Sequence, residues 1–209
     1  MEKQIEHIIQ ESIVRHPVLQ ELKPSIMDAF NVLLQSIQSG GKILSCGNGG
    51  SAADANHLVS ELMKNFVIKR GMDDAYSSLI QSGKISSNLQ SAIRALSLNS
   101  QTALMTAIIN DQEADLVFAQ QILGYGDKGD VLFAISTSGA SKNVIEAART
   151  AQALNMKVIA LTGTMDAELN KYSDVVIACP GNNAGEIQEV HLPVYHLLCL
   201  MLETYLFSD

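Results

Sequence analysis

His57 and Glu61 stand four residues apart in the run GNGGSAADANHLVSE (47–61). On a helix that spacing projects an imidazole and a carboxylate from one face. Immediately before them, Asn48, Gly49, Gly50 and Ser51 form a glycine turn that opens the helix. Such a turn offers free backbone N–H groups, the positive end of a helix dipole and a hydroxyl, which together make an anion site. An anion cradle beside an imidazole–carboxylate pair points to a phosphorylated small molecule on which proton chemistry is done.

A second turn of the same kind is ISTSGASKNV (135–144), where Ser136, Thr137, Ser138 and Ser141 cluster around Gly139. A serine at such a place is often only a helix cap. Four hydroxyls within six residues exceed what a cap needs, and with backbone N–H groups they can surround a phosphate without lysine or arginine. Asn110 and Asp111 in IINDQE (108–113) follow a helical run and by themselves read as a helix end. The apolar run IQEVHLPVYH (187–196) contains Gln188, His191 and His196. A single buried histidine is ordinarily a hydrogen-bonded core residue, but beside His57 and Glu61 a metal-binding or catalytic role gains ground. Residues eight apart rise about 12 Å along a helix, so Gln188 and His196 must lean towards each other to converge, whereas Gln188 and His191 need less. Spacing leaves the choice of histidine open.

The elements that must position these groups alternate along the chain. Short apolar, β-branched runs at 42–46, 92–98, 131–136, 157–163 and 175–180 predict strands buried on both faces of a parallel sheet. Helical stretches at 51–66, 101–123, 141–154 and 165–172 lie between them. The alternation predicts a three-layer α/β sandwich with a five-stranded parallel sheet. Two helices (2–15 and 24–38, broken around Pro17) precede it, and a long apolar helix (186–206, with Pro193 near its first turns) follows. Both phosphate-type turns then fall at carboxyl ends of strands, where open α/β sheets bind ligands. Segment 71–91 is polar and weakly periodic. It is read as insertion-like, packing near the site mouth through an apolar stripe of Ile80, Ile85 and Leu89, with Asp73 and Asp74 turned from the serine turn. Connections of this length in compact domains are often functional.

The 209 residues are read as one domain, 1–209, with a helical pair over 1–40. A net charge of −8 argues against non-specific nucleic-acid binding. No apolar run approaches the roughly 20 residues of a membrane span, and the amphipathic start lacks the apolar core of a signal peptide. Cys46, Cys179 and Cys199, odd in number and each in an apolar run, are expected as buried free thiols in a reducing cytoplasm.

Taken together, GNGGSAADANHLVSE, TAIIND, GDVLFAISTSGASKNVIEAA, KVIALTG and IQEVHLPVYH resemble the sedoheptulose-7-phosphate isomerase (phosphoheptose isomerase) branch of the sugar isomerase, or SIS, family. The likeness spans nearly the whole chain, and the H-x3-E and Q-x7-H elements distinguish this branch from other SIS domains. It implies that Asn48, Gly49, Gly50, Ser51, Asn110, Asp111, Ser136, Thr137, Ser138, Ser141 and Gln188 line a sugar-phosphate site. It also implies one zinc ion held by His57, Glu61, Gln188 and His196, with Glu61 and His196 as base and acid, and a homotetramer with interfacial sites. The chain departs from the branch at its long 71–91 segment, at N-S-Q-T (99–102), where Gln101 replaces an acid, and at Glu186, which replaces a base. The resemblance extends to a paralogue, the DnaA initiator-associating protein, and to isomerases of other sugar phosphates. His57, Glu61 and the GNGGS form of the turn favour the isomerase, with a phosphorylated sugar as partner and neither nucleic acid nor membrane.

Overall fold

Every residue of Val131–Ser136 is buried, as a strand covered on both faces requires. Its side chains alternate between two cores: Val131, Phe133 and Ile135 enter one, and Leu132 and Ala134 the other. In the computed structural model, which describes residues 2–72 and 88–208, this strand is the centre of a five-stranded parallel sheet. The strands are β1 (Ile43–Cys46), β2 (Ala95–Ser97), β3 (Val131–Ser136), β4 (Lys157–Thr162) and β5 (Val175–Ala178), in the order β2-β1-β3-β4-β5. The order reverses between β1 and β3, and that reversal leaves the crevice in which doubly wound sheets bind ligands.

One face of the sheet is covered by α1 (Glu2–Arg15), α2 (Leu19–Gln38), α3 (Gly50–Met63) and the long C-terminal helix α7 (Ala184–Phe207). The other face carries α4 (Thr102–Asp111), α5 (Ala119–Tyr125) and α6 (Lys142–Ala153). The three-layer sandwich, the parallel sheet, the N-terminal pair and the long last helix are those expected from the sequence. Cys46, Cys179 and Cys199 are buried free thiols.

Several boundaries differ from the expected ones, among them the end of α3 at Met63 rather than 66 and β2 at Ala95–Ser97 rather than 92–98. The second helix starts at Leu19 rather than 24, because Pro24 lies early enough in α2 to cost only one backbone hydrogen bond. The stretch 101–123 is not one helix: the backbone leaves helical geometry at Gln112 (φ −128°, ψ −125°) and resumes through a 3-10 turn at Ala114–Leu116 into α5. The stretch 165–172 forms only a 3-10 turn, Glu168–Tyr172. Pro193 lies in the third turn of α7, which begins at Ala184. Asn183 caps that helix: its side chain accepts from Glu186 N, while Glu186 accepts from Asn182 N at 2.8 Å. Glu186, which departs from the family pattern, thus serves a reciprocal helix cap.

By length and mean hydropathy (1.3), α7 matches a membrane span, but 61% of its apolar window is buried in the fold and it packs on α1, α2 and α3. It is the core helix of this face. Asp73, Asp74, Ile80 and Ile85 lie outside the described residues, and Leu89 is exposed. The segment's two ends meet each other: Ser91 N donates to Gly71 O at 2.9 Å, and Ile93 N donates to Leu62 O at the end of α3.

Candidate active site

Both anion turns lie at the reversal between β1 and β3, one at the end of each strand. Gly49 takes φ 56° and ψ −119°, a left-handed conformation that favours glycine, and so aims the chain into α3. Asn99, just beyond β2, fixes this turn from behind: its Nδ2 donates to Gly47 O at 2.8 Å and its Oδ1 accepts from Gly47 N at 3.1 Å. Asn48 and Asn143 exchange two amide hydrogen bonds of 2.8 and 2.9 Å, tying the glycine turn to the start of α6. Sequence reasoning missed Asn99 and Asn143. Neither an asparagine in a loop, like Asn99, nor one in the first turn of a helix, like Asn143, has a periodicity to betray it.

In the serine turn, Ser136 Oγ lies 3.2 Å from Ser141 Oγ and accepts from Gly139 N. Ser138 Oγ accepts from Ala140 N. Ser141 occupies the cap position of α6, yet its hydroxyl makes no cap hydrogen bond. Val144 N, at the third position of α6, donates instead to Ser141 O at 3.1 Å, and the N–H groups of Lys142 and Asn143 ahead of it take no bond from the Ser141 hydroxyl. Asn110 and Asp111 are exposed at the far end of α4 and hydrogen-bond to each other at 2.7 Å, rather than to either turn.

The helices α3 and α7 run side by side and bring the remaining groups together in register. Gln188 meets Gly50, where any Cβ would collide with its Nε2, so the missing side chain at position 50 makes room for this amide. Two turns further along, His196 Nε2 lies 3.4 Å from His57 Nε2, and Glu61 Oε1 lies 3.2 Å from the same His57 nitrogen. Lys64 Nζ holds the other Glu61 oxygen at 3.3 Å. Behind His57, Tyr195 places its hydroxyl 3.0 Å from His57 Nδ1 and donates to Asp54 Oδ1 at 3.3 Å. Burial pushes the Asp54 carboxyl up, against the Tyr195 hydrogen bond and His57. Burial and the neighbouring Asp54 push the Tyr195 phenol up as well. Burial and the facing His57 hold His196 below the ordinary imidazole range, against the pull of Glu61.

The two histidines that spacing could not separate lie in different surroundings. His191 is fully buried, its Nε2 lies 3.5 Å from Thr162 O, and burial pushes its pKa down to about 4. It is a neutral core histidine, while His196 faces the site. A cleft of about 120 Å³ between α1, the 66–67 loop and α7 reaches His196 and is edged by Arg15 and His16.

Two imidazoles, a carboxylate and an amide suit a zinc ion. Ligand atoms each 2.0–2.1 Å from a tetrahedral zinc stand about 3.3 Å apart, and the His57–Glu61 and His57–His196 separations of 3.2 and 3.4 Å match two such edges. Among the described residues no three His, Cys, Asp or Glu side chains form a ready metal cage, and Gln188 is turned towards Gly50. The imidazoles and the carboxylate are donor types that zinc accepts, but the side chains are not gathered into a cage around one point.

A five-stranded parallel sheet between two helical layers, with its order reversing between β1 and β3, is the architecture of a SIS domain, and the model of that family matches residues 10–91 and 83–163. The phosphoheptose isomerase of Thiobacillus denitrificans is 40% identical over 190 residues, covering 90% of this chain and 86% of that one. The phosphoheptose isomerase of Colwellia psychrerythraea is 38% identical over 213 residues, covering 100% and 98%. Among solved structures, the phosphoheptose isomerase of Francisella tularensis superposes with a TM-score of 0.77 at 30% identity, covering 97% of each chain. That of Neisseria gonorrhoeae gives 0.73 at 33%, covering 97% of this chain and 98% of the other. The chain belongs to the phosphoheptose isomerase family.

Proposed function

We propose that this protein interconverts sedoheptulose 7-phosphate and an aldose, a heptose 7-phosphate, through an enediol. The observation that carries the reading is the meeting of Glu61 and His196 at His57, beside two anion turns at the sheet reversal. The Ser136–Ser141 turn and the start of α6 bind the phosphate, and Asn48, Gly49, Gly50, Ser51 and Gln188 hold the sugar oxygens. Asn110 and Asp111 line the site only if a neighbouring subunit brings them to it. Glu61 takes the proton from C1 of the ketose and returns one to C2, while His196 serves the oxygens O1 and O2.

His57, Glu61 and His196, with Gln188 completing the set, would hold one zinc ion. When bound, the ion would supply Lewis-acid stabilisation of the developing oxyanion. A homotetramer is favoured by the exposed apolar side chains of Met63, Val67, Leu104, Ile109 and Leu192, which a subunit interface would cover. The three buried free thiols favour the cytoplasm.

A coupled assay over a panel of phosphorylated ketoses tests the reading, with turnover of sedoheptulose 7-phosphate the expected result. No turnover of any heptose phosphate, together with co-purification of a replication initiator, would replace it by a binding role. Elemental analysis of untagged protein checks the metal: about one equivalent per chain is expected, and full activity in chelator would leave a purely organic acid–base site. Light scattering is expected to give a tetramer.

Gly50→Ala provides a sharper probe of Gln188. Alanine favours the helix by about 0.5–1 kcal/mol over glycine, so the variant is expected to fold normally. Its new Cβ displaces only the tip of the Gln188 side chain. The expected result is a KM raised several-fold at unchanged thermal stability, and an unchanged KM would remove Gln188 from the substrate site.

A further inference from the structure

Asn48 supplies the one side chain in the run 47–50, whose other three residues are glycines. Such a turn is costly to order, because glycine loses more backbone freedom on folding than any other residue. Two asparagines on the neighbouring connections order it. Asn99, beyond β2, holds both backbone polar groups of Gly47, at 2.8 and 3.1 Å. Asn143, in the first turn of α6 after β3, holds the Asn48 side chain instead. Asn48 Nδ2 donates to Asn143 Oδ1 at 2.8 Å, and Asn143 Nδ2 donates to Asn48 Oδ1 at 2.9 Å. Consecutive residues of the glycine turn are thus fastened to the two opposite neighbours of β1. A carboxamide has two N–H donors and two lone pairs, and the exchange consumes one of each on both residues. Each amide keeps one donor and one lone pair, and the pair is exposed between the two turns. Hydroxyls both donate and accept, so an edge of alternating donors and lone pairs suits a polyol better than a phosphate, whose oxygens chiefly accept.

We propose that Asn143 is a positioning residue for sugar recognition: paired with Asn48, it fixes that amide between the glycine and serine turns, where the amide takes hydroxyls of the sugar chain between the phosphate and the reacting carbons. The inference rests on the proposed sugar-phosphate site and names what selects the sugar within it. Asn143 acts through Asn48, whose flanking glycines have no side chains with which to orient it. The phosphate is served by the serine hydroxyls and by backbone N–H groups, which a substitution of the Asn143 side chain leaves in place. The bridge itself is neutral, because Lys142, the next residue before Asn143, is turned to Asp115 at 3.9 Å. Discrimination by this pair is therefore a matter of hydrogen bonds rather than of charge.

The test compares two probes, sedoheptulose 7-phosphate and inorganic phosphate, by titration calorimetry on the wild-type protein, Asn48→Ala, Asn143→Ala and the double variant. Asn143→Ala is expected to weaken the sugar phosphate about 3–10-fold, the worth of one neutral hydrogen bond, and to leave inorganic phosphate within about twofold. Because Asn143 acts through Asn48, the double variant is expected to bind the sugar phosphate no more weakly than Asn48→Ala alone. Asn143→Leu keeps the side chain's volume and is expected to show the same split, which keeps the test decisive should the alanine variant fold poorly. Equal loss of both probes would make the pair a brace of the turns and overturn the proposal. Losses that add in the double variant would overturn it as well. Sugar phosphate bound with the expected pattern but never isomerised leaves the bridge standing and removes the isomerase reading. A wild-type protein that binds inorganic phosphate but no sugar phosphate overturns both.

Discussion

Replacing Glu61 by glutamine is expected to lower kcat for the ketose phosphate by about 10²–10⁴-fold, the usual contribution of a positioned base. The side chain is 13% exposed and lies between two fixed partners, His57 Nε2 at 3.2 Å and Lys64 Nζ at 3.3 Å. Glutamine keeps the shape and can still accept from Lys64, so the helix and the anion turns should persist. What it cannot do is remove the proton from carbon. The signature is therefore a loss of kcat accompanied by loss of solvent deuterium exchange into the substrate, with KM little changed. Turnover undiminished in the variant would assign the base elsewhere, and Asp54, behind Tyr195, would be the carboxylate to examine next. Zinc bound to Glu61 would weaken it as a base, so wild-type activity that rises on partial metal removal would show that the two roles compete at this residue.

The glycine and serine turns were legible in the sequence because their signals are local. Gly49 needs a left-handed φ and sits where a strand must become a helix, and hydroxyl density marks the 136–141 turn. The sheet was equally legible, since fully buried strands announce themselves as short β-branched runs. What failed was of two kinds. Boundaries moved where a breaker was tolerated, as at Pro24 in α2, or where the backbone turned without one, as at Gln112. Long-range polar pairings gave no signal at all. Tyr195 reads as a core aromatic on an apolar helix, and only the α3–α7 contact joins it to Asp54 and His57, 141 and 138 positions away. The His191–His196 choice was undecidable from spacing because both lie on α7. In the fold they differ in what they meet: His191 faces Thr162 and His196 faces His57.

The largest stability effect is expected at a site that no sequence motif marks. Glu203, on α7, is fully buried and accepts from Phe66 N, Val67 N and Ile68 N at 2.7 to 2.9 Å, and from Arg70 Nε at 2.9 Å. Arg70, its side chain 1% exposed, also donates to Leu62 O and Glu61 O in the last turn of α3 and to Ser91 O, and lies 4.6 Å over the Phe207 ring. The pair therefore caps the helix that holds His57 and Glu61 and fastens it to α7. Glu203→Ala strands a buried guanidinium and three backbone N–H groups. Breaking a buried pair in this way costs about 3–5 kcal/mol, or roughly 6–20 °C in Tm for a chain of this size. Making Arg70→Met as well should recover only part of the loss, because the orphaned N–H and carbonyl groups remain, and full recovery would refute the capping role. The pair also sets an acid limit. Burial pushes the Glu203 carboxyl up, but the Ile68, Phe66 and Val67 amides and Arg70 more than offset this and hold its pKa below the ordinary 4.5. A carboxylate depressed in the folded state contributes its full stability above its unfolded pKa and loses it as pH falls through the folded value. Wild-type stability should therefore decline below about pH 4.5 more steeply than that of Glu203→Ala, so the two denaturation curves converge in acid. Parallel curves would mean that Glu203 stays ionised or contributes nothing, and the clamp on the catalytic helix would have to be sought in packing alone.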